Sequence, residues 1–305
     1  MISFLGKITK TAIRIYTYPY RKNHLSLSRS IKFKQTPYVA PKGYEYKVHC
    51  YNGVKVEIIS KKNCDENAVI LHLHGGGCTT PMTNMYRNIA KKYCDISSLS
   101  VVSIDYNAGV NKVHPALLDD WYNAYIAMLE NVLKGKNVIM VGDSNGANLM
   151  FGLCFRLRDN GYPLPIGHVV ISPFVDFSAS GDSYRKNCYK DPMYSLPKYQ
   201  KFEDWETEIR RFSPYCGDTN KKDPYLSPAF GSFEGFSNIL IQVGSVETSE
   251  SDSDMLYEKA RKANVPVVLQ KYCGMFHDFQ YFCPFLRESK MAWKEIQKFI
   301  LSNIK

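Results

Sequence analysis

Gly142-Asp143-Ser144-Asn145-Gly146 sets a serine between two glycines, each two positions away. A serine hydroxyl is a weak nucleophile at neutral pH and needs a base beside it. The apolar run Asn137-Val138-Ile139-Met140-Val141 leads into this stretch, and Ala147-Asn148-Leu149-Met150-Phe151 can start a helix behind it. A strand, a tight turn and a helix would present Ser144 on a sharp elbow, where small neighbours let strand and helix pass closely. Two more segments add the missing parts. His74-Gly75-Gly76-Gly77 ends the run Ala68-Val69-Ile70-Leu71, and only glycine brings a loop backbone so near a reacting group. Gly274-Met275-Phe276-His277-Asp278-Phe279 follows the strand-like Val265-Pro266-Val267-Val268-Leu269 and carries a histidine, the usual side-chain base. The order along the chain is glycine loop, serine, histidine.

Elements must hold these three segments together. Strands are predicted at Val54–Ser60, Ala68–Leu73, Leu99–Ile104, Asn137–Val141, His168–Ser172, Asn238–Val243 and Val265–Tyr272. Most are nearly continuous apolar runs, as suits strands covered on both faces. Helical patterns alternate with them at Met82–Tyr93, Pro115–Leu133, Ser144–Asp159, Ser251–Ala263 and Arg287–Ile300. Pro115 suits a helix start, and Asn160-Gly161 a helix end. The alternation predicts an α/β fold with a mostly parallel central sheet and flanking helices. Two segments stand outside it. Residues 1–48 precede the first predicted strand, as an N-terminal basic arm. Residues 178–236 form a long excursion, with a short helical piece at Glu203–Arg211, and read as a lid. The domain reading is therefore an arm at 1–48 and a catalytic unit at 49–305 that carries a 178–236 insertion.

Composition limits the alternatives. The chain has 305 residues, 45% hydrophobic and 22% charged, which is an ordinary globular balance. No apolar stretch reaches the ~18 residues of a membrane span. The N-terminus has no uninterrupted apolar core and no cleavage site of a secretory signal. Nine cysteines lie scattered without a C-x-x-C pair. That pattern argues against a disulfide framework and a zinc site, and fits a reducing cytoplasm. Of the net +10, nearly all sits in residues 1–50, which hold ten Lys/Arg and one acid. No nucleic-acid-binding module is visible there. The arm reads as a solvated helix folded over the mouth of a site. A basic amphipathic segment at a membrane surface, with Ile2, Leu5, Ile8, Ile13 and Ile15 among Lys7, Lys10 and Arg14, is a second, less favoured reading. A mitochondrial-type leader is a third.

From about residue 68 onward the chain resembles the hormone-sensitive-lipase-like branch of the α/β-hydrolases. His74-Gly75-Gly76-Gly77 matches its HGGG, and Gly142–Asn148 is similar to its G-D-S-A-G-G-N. Pro115-Ala116-Leu117-Leu118-Asp119-Asp120 is similar to P-A-A-L-D-D. Asp223-Pro224-Tyr225-Leu226-Ser227-Pro228 is similar to D-P-x-x-S-P, and Gly274-Met275-Phe276-His277 fits G-M-x-H. There are departures. Asn145 and Ala147 replace Ala and Gly. The loop Tyr106–Asn111 lacks the family's arginine. The resemblance implies an α/β-hydrolase fold whose cap comes from the N-terminal arm and residues 178–236.

It also implies roles. Ser144 would attack an ester carbonyl, with His277 as base and then acid. Glu247, in Gly244-Ser245-Val246-Glu247, would orient the imidazole, with Asp252 as the alternative acid. Backbone N–H groups of Gly75, Gly76 and Asn145 would form the oxyanion hole. His74 and Gly77 would support that loop, and Cys78, Tyr106, Met275 and Phe276 would line a pocket. The H-x-H of His72 and His74 hints at a metal, but no third ligand accompanies it. No metal or cofactor is expected. The activity implied is hydrolysis of short- to medium-chain acyl or acetyl esters of small alcohols. The rivals are a non-catalytic ligand-binding protein on the same scaffold and a membrane-surface lipase held by residues 1–22. The family often forms homodimers through its last strand and helix.

Overall fold

The computed structural model describes residues 2–22, 37–105, 112–196 and 214–304. Tyr106 and the helical piece expected at 203–211 lie outside the described residues. The chain begins with helix α1 (Phe4–Lys22) and continues through strands β1 (Tyr44–Tyr51), β2 (Val54–Lys61) and β3 (Asp65–Leu73). Helices and strands then alternate: α2 (Asn84–Ser97), β4 (Leu99–Asp105), α3 (Ala116–Leu129), β5 (Asn137–Asp143), α4 (Asn145–Asp159) and β6 (Gly167–Ile171). The short α5 (Ser183–Lys186), β7 (Asn238–Gly244), α6 (Glu250–Lys262), β8 (Val267–Tyr272), the short α7 (Phe279–Phe282) and α8 (Arg287–Asn303) complete it.

Among the described residues, eight strands form one sheet in the order β1-β2-β4-β3-β5-β6-β7-β8. β1 with β2 and β2 with β4 are antiparallel, and every later pairing is parallel. Alternation along the strands feeds two cores. Val69, Leu71 and Leu73 face one side, with Trp121, Tyr125, Phe151 and Phe155 from α3 and α4. Ala68 and Ile70 face the other, with Tyr93, Trp293 and Ile296 from α2 and α8. Covering both faces explains why β3, β5 and β6 read as continuous apolar runs.

The seven predicted strands are all present. β1 is an addition, and it starts before residue 48, so the expected arm boundary falls inside a strand. Its sequence Tyr-Glu-Tyr-Lys-Val-His-Cys-Tyr is mostly exposed on this sheet edge and carries no apolar run. The predicted helix Pro115–Leu133 stops at Leu129, and turns follow to Gly135.

Every chemical segment sits at the carboxyl end of a parallel strand. β3 runs into His74, β5 into Ser144, β6 into Ser172, β7 into the Glu247 loop, and β8 into the His277 loop. Parallel strands gather their carboxyl ends on one edge of the sheet, which is where α/β sheets place their sites.

Candidate active site

Ser144 stands between β5 and α4 with φ 52° and ψ −125°. A non-glycine residue reaches this region only when its surroundings hold it there. Ser144 N–H donates to Ile171 O at 3.0 Å, and its carbonyl accepts from Ala147 N–H and Phe174 N–H. Strand and helix approach so closely that a Cβ on Gly146 would overlap the Leu73 carbonyl oxygen. Ser144 itself is 7% exposed at the start of α4.

His277 and Glu247 meet as expected: His277 Nδ1 is 3.2 Å from Glu247 Oε2. Glu247 is fully buried, and its Oε1 accepts from Gly244 N–H at 2.5 Å and from Ser172 Oγ at 2.9 Å. The alternative acid, Asp252, faces elsewhere. Its Oδ2 accepts from Val175 N–H, Asp176 N–H and the Tyr184 hydroxyl, so it ties β6's following loop to α6.

Ser172 and Asp278 are residues that sequence reasoning missed. Ser172 Oγ donates to Glu247 and accepts from Asp278 N–H at 2.9 Å, bridging the acid's loop to the histidine's loop. Asp278 Oδ2 is 3.2 Å from His277 Nε2, an ion-pair contact without hydrogen-bond alignment. Burial alone would push the His277 imidazole down. Asp278, Glu247 and Asp191 outweigh it and raise the group to about 10. Burial beside other carboxylates pushes Asp278 well above the usual carboxylate range. Tyr194 packs edge-on against the imidazole, with ring centres 4.7 Å apart. The available signal was position: Ser172 is the polar residue ending a buried apolar strand, and Asp278 adjoins the histidine.

The glycine loop holds one correction. Gly75 N–H points to Asp143 Oδ2 at 3.1 Å, so a carboxylate of the protein already takes this expected oxyanion donor. The same oxygen accepts from the Tyr86 hydroxyl at 3.1 Å. Burial pushes Asp143 up to about 7, against the pull of these two donors. Gly76 has φ 102°, and a Cβ there would strike Thr80, so the loop requires glycine at this point. Asn145 opens α4, where the first N–H groups of a helix lack intrahelical partners. His74 Nδ1 contacts Gly75 O at 2.9 Å and its ring packs on Tyr86, which supports the loop. Gly77, at φ 66°, continues the same bend. His72 lies 3.1 Å from Ser103 Oγ and packs on Tyr86 and Tyr93. Burial lowers His72 to about 3 and His74 to about 4, so both rings are neutral at physiological pH.

The expected pocket residues divide. Cys78 is buried, with its thiol pushed up by burial. Met275 and Phe276 are fully buried and pack with Met193, Phe279 and Leu286. They fix the histidine loop to the body. Tyr106 is outside the described residues.

A family model for the alpha/beta hydrolase fold matches residues 70–281. The chain is 31% identical over 250 residues to an esterase of Acinetobacter venetianus, spanning 82% of this chain and 80% of that one. It is 30% identical to an acetyl-hydrolase of Streptomyces hygroscopicus, over 74% and 73% of the two chains. A crystal structure of an esterase from the bacterial hormone-sensitive lipase family superposes with a TM-score of 0.81, 27% identity and full coverage of both chains. This chain belongs to the α/β-hydrolase fold family, in its hormone-sensitive-lipase-like branch of esterases.

Proposed function

We propose that this chain is a serine carboxylic-ester hydrolase, with Ser144 as nucleophile, His277 as general base and acid, and Glu247 as the orienting acid. The observation that carries the reading is the Glu247–His277 contact at 3.2 Å, at the same sheet edge as a serine on a strained elbow. In this mechanism neutral His277 takes the Ser144 proton as Oγ attacks the ester carbonyl. Glu247 holds Nδ1–H, so Nε2 is the atom that accepts the proton. The carbonyl oxygen becomes an oxyanion beside the N–H groups of Gly76 and Asn145, each such donor being worth about 3 kcal/mol. His277 then protonates the leaving alkoxide, and an acyl-serine remains. Water, deprotonated by the same imidazole, releases the acid and restores the serine. No cofactor enters these steps.

Short- to medium-chain acyl or acetyl esters are the proposed substrates, in keeping with the acetyl-hydrolase relative. Residues 178–236 and the N-terminal arm act as the cap in this reading. A cytoplasmic location rests on the scattered cysteines, none of which is joined in a disulfide among the described residues. A homodimer through β8 and α8 has in its favour that β8 is an open sheet edge. Hydrolysis of p-nitrophenyl esters from acetate to laurate, by wild type and Ser144→Ala, tests the assignment. The expected outcome is a short- to medium-chain optimum and a loss of roughly 10⁴-fold or more in the variant. A folded wild-type protein that cleaves none of the series would instead favour a ligand-binding role.

A further inference from the structure

Helix α1 has two unlike faces. Gly6, Ile13, Thr17 and Arg21 turn inward. Arg21 Nη1 donates to Ser195 Oγ at 3.2 Å, and Arg14 Nη2 donates to the carbonyls of Tyr189 and Lys190 at 2.9 and 2.6 Å. The other face is apolar and open to solvent. Phe4 is 80% exposed, Ile8 51%, Ile15 70% and Tyr16 62%, with Ala12 and Pro19 on the same stripe. Positions 4, 8, 12, 15 and 19 repeat at the helical period, so they form one continuous strip. Contiguous exposed strips of this kind mark contact surfaces, whereas single exposed apolar residues do not.

The strip continues onto a second element. Leu5 lines a groove with Phe285, Met291, Arg287, Lys290 and Lys294. Phe285 and Met291 are themselves about half exposed. Charge here is mostly positive. α1 contains no acid; its Arg14 and Arg21 are turned inward, and Lys7 lies exposed beside the strip. Glu288, the acid of this region, is turned inward, accepting from Ser3 N–H at 2.6 Å and Ser3 Oγ at 2.9 Å. That contact also fastens the start of α1 to α8. Glu295, about two turns further along α8, is paired with Lys298 at 2.7 Å.

We infer that the outer face of α1, together with Phe285, Met291, Lys290 and Lys294, is a docking surface for an anionic lipid bilayer. Apolar side chains flanked by Lys and Arg match an acyl boundary under negative headgroups. Tyr16 and Tyr18 suit the headgroup level. A second copy fits worse, because a two-fold pairing sets two faces of the same positive charge against each other. The docked helix lies over the histidine loop: a Cβ on Gly6 would come within 3.1 Å of Met275 Cε, and Ile2 packs on the cluster that holds Met275 and Phe276. Docking there sets the loop of His277 next to the lipid surface. The surface stands whether or not the chain hydrolyses esters.

Vesicle co-sedimentation tests this, with phosphatidylcholine alone and with about one third phosphatidylglycerol. Wild type should bind the anionic vesicles at least ~10-fold more tightly, and less tightly as salt rises. Ile8→Asp/Ile15→Asp and, separately, Lys290→Glu/Lys294→Glu should each lose ~10-fold or more. Both should keep wild-type circular dichroism and cleavage of a soluble ester. The second variant lies on α8, so it reports even where the first disturbs α1. No binding by wild type would overturn the proposal. So would binding that ignores both variants, or a dimer that Ile8→Asp/Ile15→Asp dissociates while vesicles are left unbound.

Discussion

His277 is set among four buried carboxylates. Glu247 is at Nδ1, Asp278 beside Nε2, and Asp191 and Asp143 within electrostatic reach. A base must be neutral to take a proton, and these neighbours stabilise the charged ring up to about 10. Activity should therefore climb with pH into the alkaline range, since only the fraction with neutral His277 reacts. Asp278→Asn removes the carboxylate nearest Nε2. It should move the rising limb of kcat/KM to lower pH by about one unit or more, which a pH-rate profile on a soluble ester reads directly. An unmoved limb would mean that Asp278 is already neutral in the free enzyme. Glu247→Gln tests the other side of the ring. The amide can keep the contact while it fails to hold the right tautomer, so kcat should fall by roughly 10²–10⁴-fold with little change in KM. The residues of the proposed triad were legible because their motifs are local: a serine between glycines, a histidine after the last strand, a G-S-x-E. Ser172 and Asp278 were not. Their roles arise where the ends of β6, β7 and β8 meet, and no spacing along the chain encodes that meeting.

At the scale of elements, burial decided what could be read. The buried stretches of β3, β5, β6 and β7 are mostly apolar because helices cover both faces, and each lies within two or three residues of its predicted bounds. β1 escaped notice because it lies at the sheet edge, exposed on most of its length, and is held by its antiparallel register with β2. Such pairing depends on backbone groups, which leave no trace in side-chain type. The elbow is the opposite case, since sequence alone required a small residue at 146 and the structure gives the reason. Gly146→Ala pushes a methyl into the Leu73 carbonyl oxygen at the junction of β3 and α4. Backbone cannot yield there without moving His74 as well. The variant should lose about 3 kcal/mol of stability, the upper end of overpacking effects, measured as a lower midpoint in urea. It should also lose activity at temperatures where it is still folded.

Across the whole molecule, two distant parts of the chain close over the histidine loop. The N-terminal arm reaches it through Ile2, just before α1, and Ile13 on α1, and residues 189–196 reach it through Tyr194. The two are joined to each other. Arg14 holds the carbonyls of Tyr189 and Lys190, Arg21 holds Ser195 Oγ, and Thr17 Oγ1 donates to the Pro192 carbonyl. Asp191, buried in the same segment, accepts from Met193 N–H and Tyr194 N–H, so it sets the turn that aims Tyr194 at the imidazole. The basic arm was readable as a charge imbalance, but its docked face was not: Gly6, Ile13, Thr17 and Arg21 carry no common chemical type. If the arm positions Tyr194, then loosening it should act on turnover more than on folding. Arg14→Ala/Arg21→Ala removes five hydrogen bonds to the 189–195 segment and to α1's own backbone and Thr17, while both sheet cores stay intact. The expected result is a thermal midpoint within a few degrees of wild type and a kcat on a soluble ester reduced about 10-fold, since a small misplacement of a catalytic group is amplified in rate. An unchanged kcat would show that Tyr194 and the imidazole hold their places without the arm.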